Sequence, residues 1–310
     1  MKLGLWHEGV TGEAAEDEAA FEEYCAAMIR FIKKAKIKRS FFSLIDPGID
    51  SGAANYTQWM KTYWLDKLPE DCEAGIVAAI RPKYKWTWDT NVAPKGADNI
   101  QQCFKFISEN LNSGSGKKVT CVAFDGEGMG EYASTKGVEN IATAWDQYFP
   151  DLKGKYDFGW AKMTPPVKSG TIELGTVYPE LYWIGENKEV GCTDYRKTPT
   201  QCGSGTLYHK YVNQPQAMYD NVFKAYFEEK KTYFKAAGAW PMFSVEHFTD
   251  KNCPQATYDP GGFCGTFDGF GVWEWDAFYK FLELVSTTID KEEIMIYEWQ
   301  FIPTSWIPEA

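Results

Sequence analysis

Residues 119–124, VTCVAF, form an apolar, β-prone run that leads directly into Asp125-Gly126-Glu127. Side chains along a strand repeat with a period of two, so Asp125 and Glu127 fall on the same side of the chain. Two carboxyl groups held together oppose each other's ionisation, which raises at least one pKa and leaves a protonated acid available for general catalysis. The same combination, an apolar run ending in charge, recurs. Glu8 follows LGLWH, Asp46 follows SFFSLI, Arg81 follows GIVAAI, Lys162 ends DFGWAK, Glu186 follows ELYWI, Glu246 and His247 follow PMFSV, and Glu274 lies within FGVWEW.

Eight such runs, at 3–7, 40–45, 75–80, 119–124, 157–162, 180–184, 241–245 and 270–275, alternate with helical stretches. Near-continuous apolarity is what strands buried on both faces require, and strand–helix alternation makes the sheet parallel. The first helical stretch, residues 13–36, opens acidic (GEAAEDEAAFEE) and closes basic (RFIKKAKIK), which complements the helix dipole. Further helices are expected near 53–67, 99–111, 138–148, 214–237 and 276–286, and residues 163–178 have the weakest helical pattern. A ninth apolar run, IMIYEWQF at 294–301, competes for a place in the sheet. The expected fold is α/β: a (β/α)8 TIM barrel formed as a single domain over residues 1–310.

In a barrel of this kind the strand ends with charge form the active face. There the carboxylates stand with Trp6, Trp86, Trp88, Trp160, Trp183 and Trp275. The chain has 13 Trp and is 16% aromatic, and rings of this kind either fill the core or stack on the apolar faces of sugars. The expected partner is therefore a carbohydrate, a polysaccharide or glycan. With 32 basic and 43 acidic residues the formal net charge is −11, which repels phosphate backbones and anionic headgroups, so nucleic acid and membrane are not expected as partners. The chain has no apolar run near the roughly 20 residues of a membrane helix. No cofactor and no metal are implied, and a monomer is expected.

Of eight cysteines, Cys192 and Cys202 bracket TDYRKTPTQ, and Cys253 and Cys264 bracket PQATYDPGGF. Both segments carry turn residues without helical periodicity, so each pair is expected to staple a loop, one after strand 6 and one after strand 7. Such staples imply an oxidising compartment and a secreted, extracellular protein, here as a mature form without a signal peptide. Asn55-Tyr56-Thr57 is a glycosylation sequon. Cys25, Cys72, Cys103 and Cys121 lie far apart in helical or strand-like stretches, where some serve as buried thiols.

The fourth run with its Asp-x-Glu ending resembles the family 18 chitinases and their catalytically inactive relatives. The resemblance implies that Glu127 protonates the leaving oxygen, while Asp125 orients the substrate's own acetamido group as nucleophile. It places the family's sixth-strand Tyr at Tyr182, beside Trp183 and Glu186, and its last-strand Trp at Trp273 or Trp275 in GVWEWD, beside Glu274. Where the family carries further aspartates before the Asp-x-Glu, this chain has Thr120 and Ala123.

Glu127 and Glu246 also resemble the fourth-strand acid/base and seventh-strand nucleophile of many retaining glycosidases, whose carboxyl groups lie about 5–5.5 Å apart. Here Gly126 stands where that clan has Asn. The reading is thus a secreted glycoside hydrolase, retaining, with catalytic Glu127, Asp125 and Glu246, and substrate contacts from Tyr182, Trp183, Trp273, Trp275, Trp6, Glu186 and Glu274. Three alternatives stand beside it. A barrel without catalysis binds sugars or serves as a structural or storage protein; Asp125 and Glu127 only pair with Lys162 or Arg81; or His7, Glu8 and Asp46 form a metal phosphodiesterase site.

Overall fold

The computed structural model describes residues 1–7, 10, 14, 17–43, 57–79, 107–125, 155–162, 176–179, 211, 213–224, 227–228, 242–244, 273–290, 292–297, 299 and 302–310. These residues build one eight-stranded sheet: β1 (Lys2–Trp6), β2 (Ile37–Ser43), β3 (Glu73–Ala79), β4 (Val119–Asp125), β5 (Asp157–Lys162), β6 (Thr176–Pro179), β7 (Met242–Ser244) and β8 (Glu293–Tyr297). Every described pairing is parallel, and the order is β6-β5-β4-β3-β2-β1-β8-β7. This is the cyclic order of an eight-stranded barrel, with no β6–β7 pairing among the described residues. The β1–β8 pairing joins the two ends of the chain, with Leu3 opposite Ile294 and Trp6 opposite Tyr297.

Among the described residues three α-helices stand out, α1 (Glu18–Ala35), α2 (Pro215–Met218) and α3 (Trp275–Ile289), beside shorter π- and 3-10 turns. α1 begins where Asp17 accepts a hydrogen bond from the Ala20 amide at 2.9 Å, satisfying one of the otherwise unmet N–H groups of the first turn. It ends at Lys36, whose left-handed backbone (φ 53°) turns its N–H back to the Ile32 and Lys33 carbonyls. Its buried face, Phe21, Cys25, Met28, Ile29 and Ile32, repeats at helical spacing and packs on the sheet. No described helix is long and apolar enough to cross a membrane.

Strand alternation divides the sheet into two faces. Leu3, Leu5, Ile37, Phe42, Ala74 and Ile76 join the core under the helices. Trp6, Phe41, Val77, Cys121, Ala123, Met242 and Met295 form a second cluster on the opposite, inner face. Space on that face is shared between large and small positions. A Cβ on Gly75 would lie 2.4 Å from the Phe41 ring, and one on Gly4 would lie 2.5 Å from Met295 Cε. Glycine is required here for close approach, since a methyl group would occupy the neighbour's volume.

The N-terminal end of the inner face is closed by charge. Arg39 on β2, nearly buried, pairs with Glu73 on β3 at 2.7 Å and with Asp157 on β5 at 2.8 Å. Lys2 on β1 pairs with Glu293 on β8 at 3.1 Å. Flat strands β2 and β5 would stand three spacings apart, roughly 14 Å. An Arg and an Asp bridge that gap only if the sheet curls toward this face.

Two strand assignments from the sequence need correction. β6 lies at Thr176–Pro179, ahead of the expected 180–184, and β8 is the ninth run at Glu293–Tyr297. Trp273 and Glu274, within the expected strand at 270–275, do not lie in a strand, and α3 starts at Trp275. The physical reason is the crossover. Parallel neighbours need a crossover, and Phe278, Phe281, Leu282, Val285 and Ile289 give α3 the buried face with which it serves the step from β7 to β8.

Candidate functional site

The C-terminal edge of the sheet carries the candidate site, and register fixes what lies there. Ala123 stands between Val77 and Gly159, and two residues further Asp125 stands between Ala79 and Ala161. Asp125 therefore occupies the next position of the same parity as Cys121 and Ala123, both members of the inner cluster. It is the last residue of β4, one level above the apolar layer. The neighbouring row contains Ser244, Tyr297 and Trp6, paired across β7, β8 and β1.

Tyr297 is a functional candidate that the sequence reading missed. It ends β8 at the C-terminal edge, has the parity of Met295, and is half-buried, packed in part against the inner cluster. An aromatic ring with a hydroxyl in that position can offer a sugar both a stacking face and a hydrogen bond. The signal was present in the ninth apolar run, but the competing assignment at 270–275 hid it.

Several predicted contact residues belong to the core instead. Trp6 is fully buried in the inner layer, its ring 4.9 Å from that of Phe41. Trp273 is buried beside Phe281 and Trp306. Trp275 is half-buried in the helical layer, with rings of Phe31 and Trp306 at 5.2 and 5.4 Å, and Glu274 is the exposed residue that precedes α3. All four were expected to contact substrate. Trp273, Glu274 and Trp275 stand at the start of α3 and not at the end of a strand, and the Trp6 ring fills the inner layer.

His7 follows β1 with the parity of Leu3 and Leu5, on the helix side of the sheet. It is fully buried, with its ring 4.5 Å from Phe42 edge-on, and its Nε2 is 3.2 Å from the Tyr24 hydroxyl. Burial pushes its pKa down to about 3. It packs as a neutral core histidine, away from the face of Ala123, and this geometry does not suit a metal ligand at the mouth. Glu8 and Asp46 lie outside the described residues. No cluster of metal-binding side chains occurs among the described residues.

Glu127, Glu246, Tyr182, Trp183 and Glu186 also lie outside the described residues, as do Arg81, Cys103 and the pairs Cys192/Cys202 and Cys253/Cys264. Lys162 is placed by backbone register opposite Pro179, one residue beyond the Ala161 that pairs with Asp125. Cys25, Cys72 and Cys121 are buried free thiols. Burial raises the pKa of each, to about 12 for Cys72 and about 11 for Cys121, so these thiols are poor nucleophiles.

No family model matches the chain, and no curated protein matches it. Among solved structures it is similar to the Bacillus cereus spore cortex-lytic enzyme SleL, at 11% identity over 98% of this chain and 72% of that one, with a TM-score of 0.49. It is also similar to a GH5_18 protein from Bifidobacterium longum in complex with Manb1-4GlcNAc (10% identity, 96% and 69% coverage, TM-score 0.46). A third is the ICChI chitinase of Ipomoea carnea (9% identity, 99% and 97% coverage, TM-score 0.47). Likeness at this level carries no argument about activity.

Proposed function

We propose that this chain is a secreted, monomeric barrel of the glycoside-hydrolase type that cleaves a polysaccharide or glycan at the C-terminal edge of its sheet. In such a barrel the sheet closes between β6 and β7. Glu127 is the general acid, Asp125 its partner on the same side of the chain, and Glu246 the carboxylate contributed from beyond β7. Tyr182, Trp183, Glu186 and Tyr297 contact the sugar.

The observation that supports this reading best is the placement of Asp125. It ends β4 directly above an inner layer filled by Trp6, Phe41, Val77 and Met295. The opposite end of that face is occupied by the Arg39, Glu73 and Asp157 ion pairs. Asp125 and the chain toward Glu127 emerge at the C-terminal edge, away from those ion pairs. In the substrate-assisted chemistry that the Asp-x-Glu ending suggests, Glu127 donates its proton to the glycosidic oxygen as the C–O bond breaks. Asp125 holds the acetamido group whose carbonyl oxygen attacks the anomeric carbon, and water later opens that ring. If Glu246 is the nucleophile instead, it attacks the anomeric carbon directly.

One observation favours a second reading, in which the chain binds glycans without cleaving them. Ala123, one level below Asp125 on the same side, belongs to the apolar layer, so no second carboxylate supports Asp125 from that position. A screen of glycan binding and hydrolysis on the same panel, with wild type and Glu127→Gln, separates the two. Binding by both proteins with hydrolysis by neither identifies a lectin, and the absence of both signals overturns the carbohydrate reading.

A further inference from the structure

The peptide group between Trp273 and Glu274 is gripped from both sides by side chains remote in sequence. Its carbonyl, that of Trp273, accepts a hydrogen bond from Trp306 Nε1 at 2.7 Å, and its N–H, that of Glu274, donates to Asn213 Oδ1 at 2.7 Å. Glu274 caps α3 without a side-chain hydrogen bond to the helix, and the carbonyl before it lies outside the helix, so neither group of this peptide is met within α3 itself.

Both gripping residues are themselves fixed. Trp306 is buried, with its ring stacked on Phe278 at 5.1 Å, and its carbonyl accepts from Lys34 Nζ of α1 at 2.9 Å. Two residues further, the Pro308 carbonyl accepts from Arg30 Nε at 2.9 Å. Asn213 sits in the left-handed region (φ 55°), which asparagine tolerates well, just before α2. The C-terminal tail thus lies across α1 and α3 and ends its reach on one peptide plane.

We infer that Trp306 and Asn213 form a clamp that fixes this peptide. Through the clamp, the C-terminal tail sets where the chain that leaves β7 re-enters the helical layer. The clamp is independent of the carbohydrate reading, because it concerns the backbone of α3's first turn.

Hydrogen exchange measured by mass spectrometry on the full chain tests it. Trp306→Phe keeps a ring against Phe278 and loses the N–H. Asn213→Gly keeps the left-handed backbone and loses the acceptor, whereas Asn213→Asp keeps both. In the first two variants, amides 274–278 are expected to exchange about tenfold faster, with α1 and β1–β4 changed less than about twofold, and Asn213→Asp should match wild type. Unchanged exchange at 274–278 overturns the clamp. So does equal acceleration throughout α1 and α3, which would make Trp306 ordinary core, and so does an Asn213→Asp protein that behaves like Asn213→Gly.

Discussion

Arg39 on β2 reaches Asp157 on β5 at 2.8 Å, across the two strands that separate them in the sheet. The same guanidinium holds Glu73 on β3 at 2.7 Å, so one fork ties three strands at the N-terminal end of the inner face. In barrels that end serves stability, and the opposite end is left for chemistry.

Arg39→Met is expected to lower stability by about 1–3 kcal/mol, because it strands two carboxylates that retain partial solvent access. Lysine at this position should recover only part of the loss, since a single ammonium cannot form the planar fork that reaches both partners. Urea unfolding midpoints measure this, and a midpoint equal to wild type in Arg39→Met would show that the curl of the sheet does not depend on the ion pairs.

Stability should depend on pH through His7. Its folded pKa of about 3 lies below the ordinary value of 6.5, so the unfolded chain takes up a proton that the folded chain refuses. The contribution is complete above pH 6.5 and falls by roughly 1.4 kcal/mol per pH unit as the pH drops toward 3. The Nδ1 atom has no hydrogen-bond partner among the described residues, so no acceptor there stabilises the protonated ring. His7→Gln should flatten the difference in unfolding free energy between pH 7 and pH 4 relative to wild type. Parallel pH profiles for the two proteins would refute this.

Two glycines on the inner face predict unequal costs. At Gly75 the obstacle is the Phe41 ring, which is rigid and fully buried; at Gly4 it is the terminal Sδ and Cε of Met295, which has more rotamers to yield. Gly75→Ala should therefore destabilise by about 1–3 kcal/mol and Gly4→Ala by less. Thermal melting of both variants decides it, with the reverse order contradicting the packing.

The alternation of apolar runs and helices made most of the sheet legible in the sequence. The runs at 3–7, 119–124 and 157–162 coincide with β1, β4 and β5 to within a residue or two, because strands buried on both faces cannot hide their composition. The last strand was not legible in the same way. FGVWEW is as apolar and aromatic as IMIYEW, and only the need for a helix between parallel strands separates them. Trp6 and Trp273 were ambiguous for a related reason: a tryptophan that fills a core and one that stacks on a sugar look alike until burial is known. Asp125 was legible because a period of two fixes its side of the strand as soon as the strand is found. The Arg39 network was not, since its three members lie on three different strands and spacing along the chain says nothing of them.

The cysteines test the secreted reading. Cys25, Cys72 and Cys121 should be inert toward thiol reagents in the folded protein at pH 8, because burial raises their pKa values. Eight cysteines, less the four in bridges Cys192–Cys202 and Cys253–Cys264, leave four thiols to be labelled once the oxidised protein is denatured without reductant. Mass mapping that recovers all eight as free thiols would remove the basis for an extracellular protein.

The most direct test of the central claim is glycan hydrolysis by wild type and Glu127→Gln across a panel that includes N-acetylated polymers. Loss of a general acid is expected to lower the rate by about 10²–10⁴-fold while binding is retained. Hydrolysis by Glu127→Gln at the wild-type rate would contradict the assignment of Glu127 as the acid.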